Sequence, residues 1–347
     1  MLIIKGGIRP MKKFIAMIMC LCMLFTLVAC GGGETAPEAA AYKLGMGVEL
    51  KTTSSKTENA QVDATVATVV TDAEGKIVVC RIDCAQSKMA VVGGAVEADK
   101  TFKTKMELGD DYGMVAYGAA MAEWDAQTKA FEEYVVGKTA AEVEALETVL
   151  NESGHNVSTD EALLAGCTMD IVDFKAAVVK ACNDEKGMAF ETADAFTLGL
   201  AAVTDASEST AAADGNDAVV KMYTEFGAAV VAADGTILAA LNDATQPKIN
   251  VNAAGEIVSA DYKATKRELG ADYGMVAYGA AIAEWDAQSD AFSKYVVGRT
   301  AADVRAIETK TNDHGYAVPA DETLYAECTM QITGMMEVIA RAAEYAR

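Results

Sequence analysis

The chain has 347 residues, 52% of them hydrophobic and only four of them proline, which suits two or three cored domains and not a disordered polymer. Acidic residues outnumber basic ones 51 to 29, a formal charge of −22. That balance argues against nucleic acid or an anionic lipid surface as a partner.

The first segment, 1–29, carries Lys12 and Lys13 before the apolar run 14–29 and ends in Leu27-Val28-Ala29-Cys30. A basic start, a 16-residue apolar stretch and small residues at the cut describe a signal peptide; a spanning helix needs about 20 residues. The ending resembles a bacterial lipobox. The resemblance implies lipid attachment at Cys30 and a place on the outer face of the cytoplasmic membrane. Residues 30–42, opening with three glycines, read as a flexible tether. Four basic residues and no acidic ones precede Cys30, so the mature chain carries 25 basic and 51 acidic groups, or −26. Past Cys30 remain Cys80, Cys84, Cys167, Cys182 and Cys328, an odd number. Cys80 and Cys84 on one strand would lie about 13 Å apart, too far to bridge.

An internal repeat organises the rest. Thr104–Gln127 and Thr265–Gln288 agree at 21 of 24 positions with an offset of 161 residues. The same offset carries Tyr134-Val135-Val136-Gly137 onto Tyr295-Val296-Val297-Gly298, and Cys167-Thr168-Met169 onto Cys328-Thr329-Met330. A period this long means duplication of a whole domain. The division expected is 43–183 for the first copy, 184–193 for a linker and 194–347 for the second.

Within the first copy, alternation over 62–70, a turn at 72–75 and alternation over 76–83 predict a β-hairpin with Gly75 at positive φ. The second copy repeats it at 219–232, 233–235 and 236–243. Tyr117, Met121, Trp124, Phe131 and Val135 predict one helix over 114–134. Thr139 with Glu142 three residues on starts a short helix, and 170–182 forms the last. Strands first and helices after give an α+β fold, an antiparallel sheet packed on helices.

The two histidines, His155 and His314, do not coincide under the repeat, and no zinc-ligand spacing, phosphate loop or hydrolase elbow occurs. Three clusters remain. Trp124, between Glu123 and Asp125, belongs either to a core stripe or to a ring-stacking surface. Asp83, Gln86 and Lys88 end a strand, in solvent or at a pocket mouth. Lys88 and Lys105, with Lys248 and Lys266 in the second copy, recur in an acidic chain and are natural partners for an anion. The turn 165–168 precedes a helix whose N-terminus suits a phosphate, unless Thr168 is only a cap. A pocket is expected between this turn, Tyr112-Gly113-Met114 and the two lysines.

Ala165-Gly166-Cys167-Thr168-Met169 resembles the [Ser/Ala]-Gly-Ala-Thr motif of the FMN-binding domain family. That family includes flavin subunits of Rnf-type and sodium-pumping quinone reductases and surface lipoproteins of extracellular electron transfer. The resemblance implies FMN joined through its phosphate to Thr168, and to Thr329 in the second copy, by a flavin transferase. It implies electron transfer to a membrane redox partner, with no catalysis of the chain's own. The sequence departs from the pattern at Ala162 and Thr323, where the family has Asp, at Cys167 and Cys328, and at Glu327 in place of Gly. Glu327 makes the first copy the expected site of occupation. A non-redox surface protein binding another small ligand, or a structural tandem domain, are the alternatives.

Overall fold

A computed structural model describes residues 39–262 and 264–347; the signal peptide, Cys30 and most of the tether lie outside the described residues. The first copy runs β1 (Ala40–Lys51), β2 (Asn59–Thr71), β3 (Ile77–Ala90), α1 (Lys105–Leu108), α2 (Met114–Gly118), α3 (Trp124–Val135), α4 (Ala140–Glu144), β4 (Thr148–Leu150), β5 (Asn156–Ser158), α5 (Glu161–Leu164) and α6 (Val172–Cys182). After β6 (Met188–Thr192) and β7 (Phe196–Asp205), the hairpin returns as β8 (Ala218–Lys221), β9 (Tyr223–Ala232), β10 (Ile237–Thr245) and β11 (Lys248–Val251), with β12 (Ile257–Asp261) beside it. The helical part follows in the earlier order: α7 (Lys266–Leu269), α8 (Met275–Gly279), α9 (Trp285–Tyr295), α10 (Ala301–Arg305), β13 (Thr309–Thr311), β14 (Ala317–Pro319), α11 (Glu322–Tyr325) and α12 (Thr333–Glu344). The fold is α+β, with antiparallel sheets packed on helices.

The expected hairpin spans β2 and β3, and its turn is held by Asp72, whose Oδ1 accepts from the N–H groups of Glu74 (3.1 Å) and Lys76 (2.8 Å). Gly75 takes φ 76°, a value that costs a side-chain-bearing residue energy. In the second copy the long strands break at Met222 and at Gln246-Pro247, where proline supplies no ladder donor.

Alternation predicts the hairpin, and β2 is covered on both faces. Ala67 and Val69 enter a core with Phe131, Phe174 and Ala177 of the helices. Val66 and Val70, facing the other way, share a core with Leu198, Phe226 and Val230 of the second copy. A third core lies on the helical side of the second copy, around Phe292 and Ile339. The layers therefore run helix, sheet, sheet, helix. Gly47 brings α6 close: a Cβ there would lie 2.3 Å from the Ala177 carbonyl oxygen.

Two expectations change. The stretch 184–193 is no free linker, because β6 pairs antiparallel with β1 from Ala40↔Thr192 to Leu44↔Met188. Asp184 Oδ2 also accepts from the Met46 N–H (3.2 Å). The single helix over 114–134 is two helices. Ala119 turns to φ 50° after α2, and the Glu123 carboxylate reaches back to the N–H groups of Met114 (2.7 Å) and Val115 (2.9 Å). Tyr117 is 92% and Met121 53% exposed, so neither belongs to the stripe that Trp124, Phe131 and Val135 bury.

Candidate functional site

The first copy builds its site on β2, β3 and α1. Thr104 and Glu107 form a capping box: the threonine hydroxyl accepts from the Glu107 N–H (3.2 Å), and Glu107 Oε2 accepts from the Thr104 N–H (3.0 Å). Asp83, buried on β3, accepts the N–H groups of Cys84 (2.7 Å) and Met106 (3.1 Å), which pins α1 to the strand. Burial raises its carboxyl to about 6, against the opposing pull of the Thr104 hydroxyl and these amides. Asp243 does the same for α7, accepting from Ala244 (2.7 Å) and Arg267 (3.1 Å), and burial raises it likewise to about 6.

This clamp sets Lys105 under two rings. Its Nζ lies 5.0 Å from the Tyr112 ring centroid and 5.4 Å from that of Trp124. Burial alone would lower the Lys105 pKa; Cys84, Tyr112 and Asp63 outweigh it and raise it. Trp124 is core on its other side, meeting Phe174 edge-on at 5.7 Å.

Lys105, Tyr112, Met114, Trp124 and Thr168 line one cleft of about 720 Å³, a size usual for small-molecule sites. Its lining also includes Asp63, which accepts from Gln61 Nε2 (2.9 Å) and Gln86 Nε2 (2.8 Å), and Asp173, ion-paired with Lys51 Nζ at 2.7 Å. Of the sequence candidates, Lys88, Gly113, Gly166 and Cys167 do not line this cleft. Lys88 is exposed further along β3, Cys167 is wholly buried in the core, and Gly166 packs where a Cβ would lie 2.7 Å from the Ala130 Cβ. Gly113 takes φ 78° at the entry to α2, beneath the Tyr117 ring.

Thr168 caps no helix. Its N–H (2.9 Å) and hydroxyl (3.2 Å) both donate to Gln127 Oε1, and Gln127 Nε2 donates to the Ala122 carbonyl (2.7 Å). Thr329 and Gln288 repeat this at 2.8 and 3.3 Å. The start of α6 is taken instead by Asp170, which accepts from Val172 (3.0 Å) and Asn156 (2.9 Å). The helix start that follows the turn thus carries two carboxylates, Asp170 and Asp173, where a phosphate-friendly field was expected. Glu327, the charge thought to disfavour the second copy, points to solvent.

The difference that matters was missed. At the hairpin positions of Asp63 and Thr65 the second copy has Tyr223 and Glu225, with an offset of 160 residues. Lys266 Nζ lies 4.8 Å from the Tyr273 ring and 5.4 Å from Trp285, as in the first copy, but also 4.6 Å from Tyr223. Its Nζ donates to the Tyr223 hydroxyl at 3.3 Å, and that hydroxyl donates to Glu225 Oε1 at 3.4 Å. Glu225 reaches α12: a Cβ at Gly334, the counterpart of Asp173, would coincide with its carboxylate. Burial raises Glu225 to about 7 and lowers Lys266 to about 8, each opposed by the other. Smaller hollows remain there, about 170 Å³ beside Lys266 and Tyr223 and about 290 Å³ beside Lys266 and Tyr273. The two hairpins carry this signal residue by residue, whereas the near-identical helical segment does not.

No protein-family model, curated protein or solved structure matches this chain.

Proposed function

We propose that the chain is an extracytoplasmic lipoprotein, anchored through Cys30, whose first copy binds a small molecule while the second is a closed, structural copy. The observation that carries this reading is the hairpin difference: Asp63 and Thr65 leave a cleft of about 720 Å³ that Tyr223 and Glu225 fill. Native mass spectrometry of the chain extracted from membranes tests it. One noncovalent ligand per chain is expected, lost when Asp63→Tyr and Thr65→Glu are introduced together. Two ligands per chain, or one that survives those changes, overturn the reading.

A flavin electron carrier is the second reading, favoured by the exposed Thr168 hydroxyl at the rim of a cleft walled by Tyr112, Trp124 and Lys105. The fit is divided. The aromatic edges and amide donors suit a planar heterocycle, whereas Asp170 and Asp173 stand beside the threonine that would carry the phosphate. We therefore expect riboflavin to bind no more weakly than FMN. Under this reading a flavin transferase and a membrane redox partner would be the chain's associates. Coexpression with a flavin transferase, followed by peptide mass analysis, decides the covalent form. An FMN adduct on the Thr168 peptide supports the carrier; an unmodified peptide leaves the noncovalent reading ahead.

A further inference from the structure

We infer that the ligand of the first copy presents an aromatic ring with a hydroxyl-type oxygen to Lys105, because the second copy carries such a group built in. This rests on the reading of the first copy as the ligand-binding half.

The two cages share a floor. Lysine to tyrosine measures 5.0 and 4.8 Å, and lysine to tryptophan 5.4 Å in each. In the second copy a third wall closes the cage. It is a phenol whose ring lies 4.6 Å from Lys266 Nζ and whose oxygen accepts from that Nζ at 3.3 Å. An ammonium beside ring faces is stabilised by their negative face, and more so when water is excluded. Lys266 is 8% exposed and makes no ion pair within 4.0 Å among the described residues, so these rings and one hydroxyl are its nearest compensation.

In the first copy the strand position of that phenol belongs to Asp63, whose carboxylate is turned to two glutamine amides. Lys105 is left with two rings and an open side on the cleft. A ligand ring there would complete the cage that Tyr223 completes from within. Asp63, Asp170 and Asp173 line the cleft against Lys51 and Lys105, and Lys51 is already paired with Asp173, so the acidic excess suits a neutral phenol better than a multiply charged anion.

The test uses p-cresol, which is the tyrosine side chain as a free molecule, with 4-methylcyclohexanol as its saturated match and inorganic phosphate as a third probe. Methionine methyl signals report the place: Met114 and Met169 line the first cleft, and Met275 and Met330 are their counterparts. We expect p-cresol to shift Met114 and Met169 alone, and to bind roughly tenfold more tightly than 4-methylcyclohexanol. Asp63→Tyr should abolish the shifts, and Lys105→Met should erase the preference for the aromatic probe. Tyr223→Ala with Glu225→Ala should open a second site, read at Met275 and Met330. Equal binding of the two alcohols, or tighter binding of phosphate, overturns the aromatic inference and leaves the cleft a site. No shift with any of the three probes overturns the ligand-binding reading itself.

Discussion

Asp83 and Asp243 do one job at equivalent positions, each turning a buried carboxylate to one N–H of its own strand and one N–H of the short helix that carries the lysine. Burial raises both to about 6 from an unfolded value near 3.8. An acid whose folded pKa lies above its unfolded value holds its proton more tightly when folded. Its stabilisation is complete below pH about 4 and is lost as pH rises through about 6. Asp83→Asn should therefore flatten the fall in stability over that window, by on the order of 3 kcal/mol at most. Urea titrations of both proteins at several pH values measure it; parallel curves would refute the assignment. Lys105, Tyr112 and Trp124 could be picked from the sequence because the repeat duplicates them. The roles of Asp63 and Tyr223 could not, since a strand position shows neither the cleft beside it nor the helix across it.

At the level of elements, the loop between α2 and α3 is held by two side chains, Gln127 on the Ala122 carbonyl and Glu123 on the start of α2. Glu123 satisfies two amide donors at the start of α2, and Glu284 repeats this on Met275 (2.8 Å) and Val276 (3.1 Å). Glu123→Ala should cost about 1–2 kcal/mol and speed proteolysis at Gly118–Ala120 while leaving α3 intact. Limited digestion followed by peptide mapping reads this; unchanged cleavage would mean the loop is held by other contacts. The same residue explains a misreading. Tyr117, Met121 and Trp124 sit at helical spacing, so periodicity joins the two helices into one. The contrary signal was the run of small residues at 118–120 followed by a glutamate able to fold back. The hairpins were legible because period two and a turn glycine are local properties. Burial of both strand faces was not, since it depends on a partner sheet more than a hundred residues away.

At the scale of the molecule, the copies share apolar sheet faces. Leu44, Val66 and Val70 of one sheet meet Leu198, Phe226 and Val230 of the other, and Arg341 of α12 reaches Glu107 of α1 at 3.3 Å. Ala60, Val62 and Met89 form a second shared core with Met222 and Ile249. Independent folding of 43–183 and 194–347, expected from the repeat alone, would leave these faces in water. Expressed singly, each half should aggregate or unfold, and mixing the two should restore native circular dichroism. Two soluble, cooperatively melting monomers would show the shared cores to be dispensable. Pairing of β1 with β6 also imposes an order in time. A chain that emerges amino-terminus first presents Ala40–Leu44 well before Met188–Thr192, which follows only after the whole first copy. Through that interval β1 has a bare edge and its sheet a bare apolar face, the state most open to wrong partners. Closure of the first sheet therefore waits for the second copy to emerge, and a slowed or truncated chain is left sticky on the surface that the finished protein hides.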